Sequence, residues 1–415
     1  MKEVGQCVAQ HTETISPSTA SFFDDAFDPP EENRLYPELF RLHREVHRFT
    51  ENLDDFTRLL EIQRELISAI SEAEREIRAA KTANEDPKGW QYVRYNFLCL
   101  GDCLAFLYTD RFALKQTFFD VDTVNPRQSV GFLTGKAGHA AEISLLENAI
   151  YNNVPAVLCD ITNVLRYGDI CLLGEGDPVP IEVKSSKTKD SRSKRQKKKM
   201  KTLSSFFALD RGHGLRGLPG TTIRTAFSVP PQSYSDQLRV AIEQADKVGS
   251  TSFQVDGCLT VAVIKEDEPD IDALFAGFGS SRVLVSSVNE IKTKKMWGCY
   301  YPYALTLSKP NHFEGFVRGE IYIVTWLDVD SFEAKLALEG TRLSIEADEN
   351  SIQCEIRFSN LFANDEDAYF FIGEHMMSRM WTDFLCPSWI VQNSISSVAE
   401  NSKVFREAAN GLLGK

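Results

Sequence analysis

Three short apolar runs lie between two helical patterns within residues 138–209, and this alternation limits the possible folds of the chain most strongly. The runs are AVLCDITNVL at 156–165, GDICLL at 168–173 and VPIEVKS at 179–185. They are rich in Val, Ile and Leu and are separated by Gly, Asp and Pro, which predicts a meander of three strands. Helices at about 138–152 and 190–209 flank this predicted sheet.

Two carboxylates and a lysine are expected at one end of the meander. Glu182 and Lys184 are two residues apart on the third strand, so their side chains point to the same face. Asp169 begins the neighbouring strand, within reach of that face. Carboxylates bind Mg²⁺, which lowers the pKa of a bound water and neutralises charge at a phosphate. We expect Lys184 to orient the attacking water, to help deprotonate it, or to stabilise transition-state charge.

Both flanking helices carry a polar side chain on an otherwise apolar face. Around the axis of the first predicted helix, Glu142 lies in the middle of the apolar stripe that is formed by Leu145, Leu146, Ala149 and Ile150. Glu147 lies on the flank of this stripe. Gln196 is in line with the apolar residues of 200–207. A buried carboxylate is costly unless it is paired or metal-bound, which makes Glu142 a candidate outer metal ligand. His139 shares its face, and either a role at the site or simple packing and capping fits.

This ordered set resembles the signature of the PD-(D/E)XK nuclease superfamily. The matching residues are Glu142, Asp169, Glu182, Val183, Lys184 and Gln196. The predicted order of helix, three strands, helix and strand is similar to the core of that superfamily, with TTIRTAFSV at 221–229 as the fourth strand. The resemblance covers about residues 131–250. It departs at Gly168, where the family pattern has the proline that gives it its name.

The resemblance implies a Mg²⁺-dependent nuclease or endonuclease that hydrolyses phosphodiester bonds. We expect DNA to be favoured over RNA as its substrate and Mn²⁺ to be able to replace Mg²⁺. The implied metal ligands are Asp169, Glu182 and the backbone carbonyl of Val183, with Glu142 acting through water. Lys184 would be the catalytic lysine, and Gln196 would be an accessory catalytic residue. By fold-level analogy, a stand-alone core with large flanks resembles restriction or phage-defence effectors. A platform that binds nucleic acid without cleaving it, as a subunit of a larger assembly, remains an alternative, as does a helical scaffold for an acidic protein.

The predicted fold class is α/β (α+β). A restriction-endonuclease-like core, with a mixed sheet flanked by helices, is expected between a helical N-terminal region and an α+β C-terminal region. The predicted divisions are a flexible acidic arm at 1–33, a helical domain at 34–125, the nuclease-like core at 126–250 and the C-terminal domain at 251–415.

Positive charge is concentrated beside the predicted metal site, although the net charge of the chain is −13. Residues 184–201 contain ten Lys or Arg and one Asp, a local charge of +9 that leaves −22 for the rest. This distribution favours a local contact with phosphates. The expected nucleic-acid contacts are Lys136, Lys187, Lys189, Arg192, Lys194, Arg195 and Lys198. The solvated face of an ordinary helix is the alternative.

Cysteine use and hydropathy bear on the compartment. The nine cysteines include no CxxC pair, which favours a reducing cytosol over a disulfide framework. The densest apolar run, at 97–108, is too short to span a bilayer and contains Asp102, so it predicts a buried helix and no membrane partner. We expect a cytoplasmic protein, or a nuclear one in a eukaryote, where KRQKKK at 194–199 would be an import signal.

The flanking regions have weaker patterns. Residues 35–83 read as helical and predict either a bundle or a helix that forms a homodimer or binds a partner protein. His43 and His47, four residues apart, do not match a zinc-protease motif. A helix at 234–248 and a buried strand at 256–265 follow the core. The predicted strands beyond are RVLVSSV, YALTLS, GEIYIVTWL and SIQCEIRFS, and a helical end from Glu374 carries Trp381, Phe384 and Trp389 as core residues or a partner surface.

Overall fold

The protein is a mixed α/β chain. The computed structural model describes residues 32–129, 131–135, 138–174, 176–183, 191–227, 229–265, 274, 282–348, 351–359 and 368–413. The chain divides into two compact units. We call Pro30–Arg224 with Trp297–Glu314 the helix–meander unit, and Thr225–Met296 with Gly315–Lys415 the C-terminal unit.

The helix–meander unit places helices before and after a small sheet. Its first helices are α1 (Tyr36–Phe49), α2 (Phe56–Ala83), α3 (Lys88–Tyr108), α4 (Arg111–Phe118) and α5 (His139–Tyr151). The sheet contains β1 (Ala156–Leu158), β2 (Ile170–Leu172) and β3 (Val179–Ile181), and α6 (Ser191–Leu209) follows. A separate hairpin pairs β4 (Arg211–His213) with β5 (Thr221–Ile223).

The predicted meander is confirmed, but its strands are shorter than expected. The order is β1-β2-β3, with both pairs antiparallel. The run at 156–165 leaves the sheet after three residues, because Cys159–Ile161 forms a 3-10 turn. The prediction of 221–229 as the fourth strand is wrong for the described residues, since β5 pairs with β4 instead. Without that strand, the described part of this sheet is antiparallel rather than mixed.

The remaining elements include two further sheets. In chain order they are α7 (Ser235–Val248), β6 (Ser250–Val255), β7 (Leu259–Ile264), β8 (Val283–Ser287), α8 (Val288–Thr293), α9 (Tyr303–Thr306), α10 (Pro310–Arg318), β9 (Tyr322–Asp328), α11 (Val329–Leu336), β10 (Thr341–Asp348), β11 (Ser351–Phe358), β12 (Ala368–Ile372), α12 (Glu374–Met377), α13 (Arg379–Thr382) and α14 (Pro387–Leu413). One sheet has the order β6-β7-β9-β8 and the other β10-β11-β12, all antiparallel. None of the helices in the described ranges is long and apolar enough to cross a bilayer.

The C-terminal unit confirms most of the predicted elements. Helix α7 and the fully buried strand β7 lie where the patterns placed them. Trp381, Phe384 and Trp389 are buried, so the core interpretation is correct for all three. The predicted strand YALTLS is wrong. It forms the helical turn α9 in the helix–meander unit, where the buried Tyr303 hydroxyl donates to Asn96 Oδ1 at 2.6 Å.

Buried polar side chains on α2 and α3 bind the backbone of the meander. The amide of Gln63 donates to the carbonyl of Ala156 at 3.0 Å and accepts from the N–H of Leu158 at 3.0 Å. These two bonds occupy the edge of β1 that does not pair with β2. A side-chain amide therefore replaces a neighbouring strand there.

Two buried carboxylates bind the loops on either side of α5 and β1. Asp102 accepts the N–H groups of Asn163 at 2.7 Å and Val164 at 2.9 Å. Glu74 accepts the N–H groups of Leu133 at 3.1 Å and Thr134 at 3.0 Å. Burial is the main cause that raises the pKa of Asp102, to about 7.

An arginine completes the Glu74 network. Arg94 forms an ion pair with Glu74 at 2.9 Å and donates to the Gly131 carbonyl at 3.0 Å. The side chains of Arg94 and Arg78 both lie over the ring of Phe132. Helices α2 and α3 thus bind the segment at 131–134. The predicted boundary between a helical domain at 34–125 and a core at 126–250 does not coincide with a division between the two compact units.

The two histidines of α1 have a structural role. The Nε2 atoms of His43 and His47 lie 3.0 Å and 2.8 Å from the Ala304 carbonyl oxygen, so both rings donate to it. The His43 ring stacks on Phe313 with centroids 4.0 Å apart. Burial lowers the pKa of both histidines, that of His43 to about 3.

We expect Glu74→Ala to lower the free energy of unfolding by about 3–5 kcal/mol, because it leaves the half-buried Arg94 and the N–H groups of Leu133 and Thr134 without their acceptor. Urea denaturation followed by circular dichroism measures the change. Glu76→Ala is the matched control on the same helix. Glu76 pairs with Arg34 at the surface, and its loss should cost about 1 kcal/mol or less. Equal losses in the two variants would contradict the importance of the Glu74 network.

Acid should destabilise the protein in part through His43. A histidine with a lowered native pKa contributes stability that is fully present above its unfolded pKa of 6.5 and is lost as the pH falls from there towards 3. Between pH 7.5 and 5 the loss is about 2 kcal/mol for a fully protected histidine. His43→Gln keeps a donor for Ala304 and removes the titration, so its stability should change less over this range. Exposed His213→Gln is the control, and urea denaturation at each pH gives the comparison; a slope unchanged in His43→Gln would refute the assignment.

Candidate active site

At the end of β3, Asp169 forms hydrogen bonds with the two chain neighbours of Glu182, which are Ile181 and Val183. Its main-chain N–H donates to the Ile181 carbonyl at 2.8 Å. Its carboxylate accepts the N–H of Val183 at 2.7 Å. Asp169 thus contacts both chain neighbours of Glu182 at the end of the β2–β3 pair, and Asp169, Glu182 and Val183 are all half-buried.

The glycine before Asp169 is required by the backbone. Gly168 has a φ of +74°, and a Cβ there would lie 2.6 Å from the Ile181 carbonyl oxygen. A proline ring holds φ near −65° and cannot adopt this conformation. The departure from the superfamily pattern at this position therefore has a local steric reason.

Helix α5 carries Glu142 into a buried position next to the meander. The helix packs against β1 and β2, and Glu142 in its first turn is 4% exposed. His139 Nδ1 lies 3.6 Å from Glu142 Oε2. Glu147 instead forms an ion pair with Arg64 at 2.7 Å on the flank of the helix. The predicted contrast between a buried Glu142 and a peripheral Glu147 is confirmed.

Helix α6 is attached to the site by its apolar face. Leu203, Phe206 and Phe207 are buried in one cluster with Tyr167, and Met200 packs against it. Tyr167 is two residues before Asp169. Gln196, which continues the same helical line, is half-buried as its position predicted.

The opposite face of α6 is basic and exposed. The exposed residues are Lys194, Arg195, Lys197, Lys198 and Lys201. None of these five forms an ion pair with another described residue. Lys199 differs because its Nζ lies 2.6 Å from an oxygen of Asp120 and 3.2 Å from Asp122. One lysine thus fastens the helix to the 119–127 loop, and the exposed ones keep an uncompensated positive charge.

Several predicted residues cannot be placed. Lys136, Lys184, Lys187 and Lys189 lie outside the described residues, and so does the side chain of Arg192. The described part of the chain contains no group of three or more His, Cys, Asp or Glu that could hold a metal ion. Of the predicted metal ligands, Asp169, Glu182, Val183 and Glu142 all lie within the described residues.

Some residues of this region carry no local sequence signal. Gln63, Asp102 and Glu74 bind backbone groups in and around the meander that are 93, 61 and 59 residues away in the chain, respectively. Polar residues within apolar helical stripes were their only sign, and that sign does not identify a partner. Arg166 lies two residues before the Gly168–Asp169 pair. It was visible in the sequence, but no pattern distinguished it from other arginines.

Gly168→Ala should destabilise the protein by about 3 kcal/mol, because the left-handed backbone costs an alanine about 1–2 kcal/mol and the methyl clashes with Ile181. Gly176→Ala is the matched control. Gly176 also has a positive φ, of +93°, but a Cβ there meets nothing within 4 Å. Thermal and urea denaturation of both variants separate the clash from the backbone cost. Equal destabilisation of the two variants would exclude a close approach at Gly168.

Comparisons with known proteins do not add to these observations. No family model, no curated protein and no solved structure matches the chain.

Proposed function

We propose that this protein is a Mg²⁺-dependent nuclease that hydrolyses phosphodiester bonds, with DNA as the favoured substrate. The observation that supports the proposal is the hydrogen bond from the Val183 N–H to the Asp169 carboxylate, because Glu182 directly precedes Val183 in the chain. Glu142 is buried on helix α5, which packs against β1 and β2, and it is the further carboxylate that the proposal assigns to the site.

The donor set suits a hard cation. Asp169, Glu182 and the Val183 carbonyl would hold Mg²⁺ through oxygen, which is the ligand atom this ion prefers, and Glu142 would contact it through water. Bound Mg²⁺ supplies a water of lowered pKa and neutralises charge on the phosphate. Lys184, one residue after Val183, would orient that water or stabilise the developing negative charge. Gln196 extends from the core-facing side of α6 as an accessory group.

The basic face of α6 supports nucleic acid as the substrate. Its exposed cations have no carboxylate partners among the described residues, whereas the rest of the chain is strongly acidic. Phosphates would therefore be attracted to this helix and repelled elsewhere. The apolar face of α6 packs on Tyr167, two residues before Asp169, so the basic helix and the candidate acids belong to the same part of the helix–meander unit.

Substitution of the acids should abolish cleavage. We expect Asp169→Asn and Glu182→Ala to remove Mg²⁺-dependent hydrolysis of linear, circular and single-stranded DNA and of RNA. Asp169→Asn keeps an oxygen acceptor for the Val183 N–H, so its loss of activity would not reflect a lost hydrogen bond. Wild type with EDTA is the metal control. Cleavage that persists in both variants would refute the proposed site, and salt-sensitive binding without any cleavage by wild type would favour the non-cleaving platform.

The two glutamates of α5 provide a matched pair. Glu142→Gln should lower activity about 10–100-fold, as expected for a group that acts on the metal through water. Glu147→Gln on the same helix should leave activity close to that of wild type. Calorimetric titration with Mg²⁺ tests the same difference without a substrate. Equal effects of the two changes would remove Glu142 from the site.

A further inference from the structure

Three arginines of the helix–meander unit stack on neighbouring aromatic rings. The arginine–aromatic cluster consists of Arg127, Arg166, Arg216, Phe118, Phe119 and Tyr167. The guanidinium of Arg127 lies 4.1 Å from the ring centroid of Tyr167. The corresponding distances are 3.8 Å for Arg166 over Phe118 and 4.9 Å for Arg216 over Phe119.

The members of the cluster are in mutual contact. The rings of Phe118 and Phe119 are 5.2 Å apart in an edge-to-face arrangement. The Tyr167 hydroxyl donates to the Phe119 carbonyl at 2.9 Å. Arg166 donates to the carbonyl of Arg127. The three guanidinium groups therefore belong to one surface region rather than to separate sites.

Among the described residues, these arginines interact with carboxylates at longer range than an ion pair, Arg166 with Asp102 and Arg127 with Asp120. In the described part of the chain, none of the three guanidinium groups is within ion-pair distance of an acid. Other arginines of the same unit that do pair with Asp or Glu are Arg34, Arg41, Arg48, Arg58, Arg64, Arg94 and Arg224. Asp120 and Asp122 lie on the neighbouring loop, but both are in ion pairs with Lys199.

The partial burial of these arginines increases what each is expected to gain from binding an anion. All three arginines are half-buried, and the buried Nη1 of Arg127 has no hydrogen-bond partner among the described residues. Burial lowers the pKa of Arg166 to about 10 and lowers the pKa of Arg216. A charged group that is partly removed from water gains most from a bound counter-ion.

We propose that the arginine–aromatic cluster is a phosphate-binding site. Guanidinium groups bind phosphate oxygens through paired N–H donors, and rings that stack beneath them hold the planar groups in place. Tyr167 is two residues before Asp169, so a phosphate here lies next to the hairpin end that carries both acids. Given the proposed nuclease function, the cluster holds a backbone phosphate of the nucleic-acid strand beside the scissile bond.

Binding to a fluorescently labelled DNA strand tests this site separately from cleavage. Arg127→Gln, Arg166→Gln and Arg216→Gln are introduced one at a time into the full chain that also carries Glu182→Ala. Each should weaken binding, and each should reduce the slope of log Kd against log salt by about 1. Arg34→Gln is the matched control, since it removes the same charge from a surface arginine that is paired with Glu72 and Glu76. Melting temperatures identify any variant that fails to fold.

A second measurement uses wild type and does not depend on the folding of variants. Inorganic phosphate should raise the melting temperature more than chloride at equal ionic strength, and it should compete with the labelled DNA. Absence of both effects overturns the site, as do arginine variants that fold and bind DNA with the slope of Arg34→Gln. Stabilisation by phosphate or a nucleoside monophosphate, with unchanged DNA binding in the variants, overturns the placement of a strand. If wild type cleaves DNA and the arginine variants bind it unchanged, the nuclease proposal is supported and the phosphate site is refuted. If the salt slopes fall as expected but wild type cleaves nothing, the phosphate site is supported and the nuclease proposal is refuted.

Discussion

Buried hydrogen bonds from α2 and α3 to the backbone of the meander are the interactions on which the helix–meander unit depends. Strands of three residues are too short to form a stable sheet alone. Gln63 supplies an edge partner for β1, Asp102 binds the loop that follows it, and Glu74 binds the loop before α5. Because these side chains are buried, the loss of one leaves polar groups without partners and without water. The N-terminal helices thereby determine the backbone path of the segment that carries Glu142 and Asp169.

Some cationic side chains of this unit form no ion pair with a described carboxylate, and Arg127 and the exposed lysines of α6 are the ones associated with Tyr167. Its ring is under Arg127, and its other contacts include the apolar face of α6, whose opposite face carries the exposed lysines. Several other arginines of the unit, among them Arg41, Arg58 and Arg94, are paired with carboxylates. A chain with a net charge of −13 that leaves these cations without acidic partners has a localised attraction for anions. The proposed phosphate contacts therefore centre on Tyr167, two residues before Asp169.

Local periodicity was sufficient to predict elements but not their partners. Helices α5 and α6, the meander and the burial of Glu142 follow from patterns of 3.6 and 2 residues, and these predictions are confirmed. The run at 221–229 does contain a strand, yet its first part pairs with β4, because pairing depends on the chain path between strands. YALTLS was expected to be a strand and is a helical turn. A short apolar run satisfies either period, and the packing of Tyr303 decides between them.

Residue types and their spacing were enough to single out Asp169, Glu182 and Glu142, because acids on predicted strands and buried helical faces are unusual and visible locally. The close approach of Gly168 to Ile181 and the contact of Asp169 with Val183 arise only when the hairpin closes. The arginine–aromatic cluster likewise draws on positions from 118 to 216. Such arrangements are set by long-range packing and by the satisfaction of buried polar groups, which no local window of the sequence contains.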